Sequence, residues 1–295
     1  MRYAIVASIF VTVLLCFSGS AAAADTLSNI RETKKITIGY MDSPPFAFKG
    51  DDGKVTGFSI NLCLKIVDAI KTELKTPAVD IRFKEVSSVS RFTELNEGKI
   101  DIECGSTTAN AERHQKVEFT IPHFYSGVRM IVKRSSKIKN WSDLREKTIA
   151  VLAGSTTIKL INARNDVRGL NLKTVEGKDI VEAFGFVDNN RADAFAIDDV
   201  LLYNLRATSK NPDDFLVVGE PLSVEPYSIM FRKNEPQLKK IIDQEITKLM
   251  LDGDFLKIYN YWFNQPNGPK GINLKMPMGY LLSDSIRFPS DKLYD

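Results

Sequence analysis

Twice along this chain the residues spell out strand, helix, strand, helix, strand. That repetition confines the fold to an α/β class in which helices wrap a mainly parallel sheet. In the first round Ile36-Thr37-Ile38 alternates into Gly39 as a strand. Pro44-Pro45 blocks helix and forces an extended loop. Asp51-Asp52-Gly53 is a turn signal, which makes Phe46–Lys49 and Val55–Gly57 a hairpin-like pair. Ser59 stands where it would cap a helix whose Ile60, Cys63, Leu64, Val67, Ile70 and Leu74 share one face. Val79–Val86 follows as a strand, then a short helix from Arg91 stopped at Gly98, then the strand Ile100–Cys104.

The second round opens after the strand Val128–Lys133. Its elements are strand Thr148–Leu152, helix Ile158–Asn165, strand Leu172–Val175, helix Asp179–Asp188 and strand Ala194–Ile197. Asp198-Asp199 then leads into a helix reaching Arg206. Each round ends a strand at a polar loop, Gly105-Ser106-Thr107-Thr108 in the first and Asp198-Asp199 in the second, the position where open α/β sheets bind ligands. The chain closes with helices over Gln237–Leu251 and Asp254–Phe263. Residues 264–295, rich in Pro and Gly, read as an extended surface tail.

Met1-Arg2-Tyr3, an apolar run from Ala4 to Phe17 and the small residues Ala21–Ala24 have the order of a signal peptide, with cleavage expected after Ala24. Lipid anchoring through Cys16 is the rival, disfavoured by Leu15, which stands where lipoprotein signals have a small residue. Cleavage would leave 271 residues, with 39 Lys and Arg (40 less Arg2) against 37 Asp and Glu. A charge of +2 with alternating signs gives no sign of a polyanion partner, and nucleic acid is not expected. Only Cys63 and Cys104 would remain. They sit inside a helical and a strand pattern, so two buried small hydrophobes is the expectation, although an oxidising compartment permits a bridge. His114 and His123 are too isolated for a metal site, and no cofactor is expected.

Glu103-Cys104-Gly105-Ser106-Thr107-Thr108 followed by Glu112-Arg113 resembles the signature of the family 3 bacterial solute-binding proteins for polar amino acids, in particular the glutamate/aspartate-binding branch. Gly154-Ser155-Thr156-Thr157, Arg191-Ala192-Asp193-Ala194, Asp198-Asp199 and Tyr261-Trp262-Phe263 continue the resemblance in order from about Thr26 to Phe263. It implies the two-lobed type II periplasmic binding protein fold. Lobe 1 is then 25–126 plus 224–263, lobe 2 is 127–223, and 264–295 is a C-terminal extension; the crossings lie near Ser126–Arg129 and Leu222–Pro226. It further implies a monomer in the periplasm that passes its small-molecule ligand, L-glutamate or L-aspartate, to the permease of an ABC importer.

The chemistry of such a ligand agrees. An α-carboxylate suits a planar, two-pronged guanidinium, and by resemblance Arg113 fills that role, helped by Thr108 and the Ser106 loop. The α-ammonium needs a carboxylate, for which Asp198 is placed. Ser155–Thr157 opens a helix whose N–H groups suit a second anion. Ser88 and Arg91 match the branch positions that meet the side-chain carboxylate. Two departures, Met41 in place of a basic residue and Ile180 in place of histidine, leave glutamine and asparagine open as ligands.

Each residue also has an ordinary explanation. Arg113 could form a surface ion pair with Glu112 or Glu118. Asp198 could cap the following helix, though Asp199 is the better cap. Ser106, Thr108 and Thr157 could be plain loop hydroxyls. Phe46 divides between cleft wall and core, and Tyr259, Tyr261, Trp262 and Phe263 point to core packing. The main rival function is an enzyme, since prephenate and arogenate dehydratases share this fold. A receptor or kinase sensor is the second rival, lacking here a downstream span and signalling domain.

Overall fold

A computed structural model of the chain describes residues 25–267 and 269–292. The expected signal segment, with Cys16, lies outside the described residues, and among those described no helix is long and apolar enough to cross a membrane. Two five-stranded sheets organise the molecule. In the first, Asp80–Glu85, Lys35–Tyr40 and Ile102–Glu103 run parallel, and Met230–Phe231 joins antiparallel between Ile102–Glu103 and Glu118–Phe119. In the second, Lys173–Gly177, Thr148–Leu152 and Ala194–Asp198 are parallel, with Val128–Lys133 and Phe215–Val218 added antiparallel. Between the sheets the chain crosses twice as a small ladder, Phe124–Ser126 paired with Glu225–Tyr227. Each sheet with its helices is one lobe.

Helix Phe58–Glu73 covers the first sheet with a broader apolar face than the sequence pattern suggested. Leu62 and Ile66 are fully buried, while Leu64 is only half-buried. Its N-cap is Gly57 rather than Ser59. Gly57 has φ +135°, and a Cβ there would overlap the Phe46 carbonyl. Ser59 is instead released to donate from Oγ to the Gly105 carbonyl (2.8 Å), while the same oxygen lies 2.9 Å from His123 Nε2. Burial keeps that imidazole neutral, with its pKa pushed down to about 3.

Three further expectations are corrected. Cys63 and Cys104 are joined in a disulfide, their Cα atoms 6.4 Å apart, because the helix start packs across the end of the Ile102–Glu103 strand. That tertiary contact is invisible in local patterns. The tail is not extended throughout: Tyr280–Arg287 is a helix that buries Leu282 and Ser285 against helix Pro236–Asp252 and strand Phe124–Ser126. Tyr261 is exposed, whereas Tyr259, Trp262 and Phe263 belong to the core. Phe46 is core as well, its ring edge-on to Phe58, Phe124 and Tyr227.

Candidate functional site

The carboxyl ends of the two central parallel strands, Ile102–Glu103 and Ala194–Asp198, deliver the site. After the first comes the loop to Thr108 and the four-residue helix Ala111–His114, started by Asn110, whose Oδ1 accepts from the Arg113 N–H at 2.9 Å. That short helix turns Arg113 inward. Its Nη1 donates to the Thr108 carbonyl (2.8 Å) and its Nη2 reaches Gly154 O of the other lobe (3.5 Å). The surface ion pairs weighed for Arg113 do not form, since Glu112 pairs with Lys159 and Lys116, and Glu118 with His114. Burial, and then the Arg91 guanidinium, push the Arg113 pKa down to about 10, so it stays charged at neutral pH. Both guanidiniums lie 5.4 Å from the ring centre of Phe92, a site residue that the sequence pattern had not singled out.

Arg91, buried at the start of helix Arg91–Asn96, donates from Nη1 to Thr107 Oγ1 (2.7 Å), and Thr107 donates in turn to Glu103 Oε2 (2.7 Å). Ser88 sends its hydroxyl proton across the cleft to the Ala153 carbonyl (2.6 Å). From the second lobe, Thr157 is the first residue of helix Thr157–Arg168 and is fully buried. Asp198 sits at the N-cap of helix Asp199–Thr208 yet makes no side-chain cap bond. Asp199 does not cap either; its carboxylate accepts from Ser126 Oγ at 2.7 Å. The Asp198 carboxyl is raised to about 7, first by burial and then by the neighbouring Glu225 carboxylate, with Arg113 opposing. Asp198 and Arg113 thus feel each other across the gap between the lobes.

A cleft of about 630 Å³ opens at this junction, lined by Ser88, Phe92, Thr108, Arg113, Gly154 and Glu225 among others. Arg91, Ser106, Thr157 and Asp198 do not line it and are buried. Arg91 Nε, Ser106 Oγ, Thr157 Oγ1 and Asp198 Oδ1 have no hydrogen-bond partner among the described residues, and neither has Tyr227 Oη. Buried polar atoms are nearly always paired, so these unpaired donors and acceptors, found in both lobes, leave hydrogen bonds to be filled. Met41 and Ile180 are buried with the apolar core and add no charge.

Sequence reasoning gave no role to Glu103, although it opens the signature, nor to Glu225 and Tyr227. Glu225 is buried on the crossing strand and accepts from Thr156 Oγ1 of the second lobe at 3.0 Å. The signal was present as acidic residues inside apolar strand runs, Ile102-Glu103-Cys104 and Val224-Glu225-Pro226-Tyr227.

A family model, "Bacterial extracellular solute-binding proteins, family 3", matches residues 36–265. The chain belongs to this family. Among curated relatives, this solute-binding protein is 41% identical over 269 residues to the L-glutamate/L-aspartate-binding protein of Pseudomonas aeruginosa, spanning 90% of this chain and 89% of that one. It is 34% identical over 272 residues to the glutamate/aspartate import solute-binding protein of Escherichia coli K12, spanning 92% and 90%. A solved structure with the same fold is an ancestral amino acid-binding protein described as a precursor of cyclohexadienyl dehydratase. Its TM-score is 0.69, with 28% identity and 81% of this chain and 99% of that one covered.

Proposed function

We propose that this solute-binding protein captures L-glutamate or L-aspartate in the periplasm and hands it, as a monomer, to the permease of an ABC importer. The observation that carries the proposal is the set of unpartnered buried donors and acceptors shared between the lobes. Arg113 takes the α-carboxylate with help from Thr108 and the Ser106 hydroxyl. Asp198 takes the ammonium, Arg91 and Ser88 attend the side-chain carboxylate, and Thr157 presents its hydroxyl and helix N-terminus. Residues 25–126 with 224–263 rock as one unit against 127–223. A zwitterion that bridges Arg113 and Asp198 favours the shut form because only that form satisfies both charges. A micromolar Kd corresponds to about −8 kcal/mol, which a few desolvated charge pairs can supply. The relatives' printed ligands and the charge of Arg91 favour an acidic ligand over glutamine or asparagine.

One observation favours a second function. A buried carboxyl raised to about 7, as in Asp198, suits a general acid, and the dehydratase precursor shares the fold. An ammonium seated against Asp198 would restore it to the ionised form, which agrees with binding rather than turnover. A thermal-shift panel over the common amino acids tests the main proposal, since a ligand at 100 times its Kd stabilises by about 2.7 kcal/mol. Stabilisation by glutamate or aspartate is expected. No response to any amino acid, or turnover of prephenate, would overturn it.

A further inference from the structure

The site holds more buried carboxylate than an anionic ligand tolerates. Arg91 and Arg113 face Glu103, Asp198 and Glu225, all five buried. A dicarboxylic amino acid adds a net negative charge to that set, and a buried excess charge is costly enough that a group neutralises instead.

Glu103 is the group positioned to absorb the excess. It ends the central strand of the first lobe, is completely buried, and meets Arg91 through a single hydroxyl: Arg91 Nη1 to Thr107 Oγ1 and Thr107 Oγ1 to Glu103 Oε2, each 2.7 Å. Its other oxygen has no partner among the described residues, and a Cβ added at Gly105 would come within 2.8 Å of it, so the glycine leaves room for the carboxyl. The charged and titratable groups around it come from several elements. Arg91 projects from helix Arg91–Asn96 and Arg113 from helix Ala111–His114. Asp198 and Tyr227 also act on the Arg91 charge. His123, reached from the Gly105 carbonyl through Ser59, is neutral. Burial already holds the Glu103 carboxyl above the usual range, and Arg91 is the main influence opposing it.

We propose that Glu103 takes up a proton when the lobes shut on an acidic amino acid and keeps its protonation unchanged when they shut on a neutral one. This rests on the capture of an acidic amino acid proposed above. A ligand carboxylate seated at Arg91 claims the charge that stabilises ionised Glu103. A proton from solvent then converts that carboxylate to the acid while Thr107 remains its neighbour. An amide side chain brings no charge and leaves Glu103 as it was.

Titration calorimetry in buffers of differing ionisation enthalpy counts these protons. Any amino acid brings its ammonium to Asp198 and releases the proton held there, so the difference between glutamate and glutamine isolates Glu103. At a single pH near neutrality, glutamate is expected to take up more protons than glutamine, and Glu103→Gln is expected to erase the difference. Equal counts in the unmodified protein, or a difference that survives Glu103→Gln, would overturn the inference. Should that variant not fold, ligand-difference infrared spectra of the unmodified protein decide. A carboxylic-acid C=O band that grows with glutamate and not with glutamine supports the inference, and its absence overturns it. If glutamate does not bind at all, the proposed function falls first and this inference with it.

Discussion

Replacing Arg113 by methionine separates a binding guanidinium from a structural one. The unbranched apolar stem of methionine keeps the packing beside Phe92 while removing the charge and the Thr108 and Gly154 contacts. In the liganded protein an α-carboxylate would then be buried without its counter-ion. Breaking a buried pair in this way costs about 3–5 kcal/mol, or roughly 10²- to 10⁴-fold in affinity. In the unliganded protein the balance differs. The lost bond to Thr108 O and the cation–π contact are worth about 1 kcal/mol each, and they are offset by relief of desolvation and of repulsion from Arg91. Stability should therefore change by no more than about 2 kcal/mol while binding collapses. Calorimetric titration with glutamate and with glutamine, beside denaturant unfolding of the unliganded variant, reads both quantities. A loss under tenfold, or one confined to acidic ligands, would refute the assignment of Arg113 to the group common to all amino acids.

Further outcomes follow from the same geometry. Arg91→Ala should weaken glutamate more than glutamine by about tenfold or more, since a buried ligand carboxylate loses a charged donor; equal losses would move the side-chain pocket elsewhere. Because the folded Asp198 carboxyl titrates near 7 and the unfolded one near 4, the native state binds the extra proton in that window. The unfolding free energy of the unliganded protein should fall as pH rises from about 4 to 7, and Asp198→Asn should flatten that slope in pH-dependent denaturation. X-ray scattering should show a smaller radius of gyration with saturating glutamate, and an unchanged radius would contradict rocking lobes. Reversing the exposed Glu112–Lys159 pair across the cleft mouth should alter affinity by less than about 1 kcal/mol.

Much of the architecture was legible because strands buried in a parallel sheet are apolar runs and their helices carry a periodic face. Thr148–Leu152, Val128–Lys133 and Asp254–Phe263 stand where the pattern placed them. Arg113, Arg91, Ser106, Thr157 and Asp198 are all buried, and each of the last four keeps a side-chain atom with no partner among the described residues. What stayed hidden depends on contacts between distant segments. Ser59 looks like a cap until Gly57 and the Phe46 carbonyl fix the helix start. The tail helix is stabilised by docking on Pro236–Asp252 rather than by local propensity, and a run ending in Pro289 offers little warning of it. Glu225 acquires meaning only where Thr156 of the opposite lobe reaches it.

The sulfur bridge has a consequence beyond fastening one lobe. Cys104 directly precedes the loop to Thr108, so that loop is anchored to the long helix carrying much of the first lobe's interior. Spanning 41 positions, the link is worth about 4 kcal/mol in the chain-entropy picture. Ligand capture therefore begins with a loop already tied covalently to that helix. Under a reductant, melting temperature and glutamate affinity should decline in step, and an affinity untouched by thiol release would show that the loop holds its shape without the covalent tether.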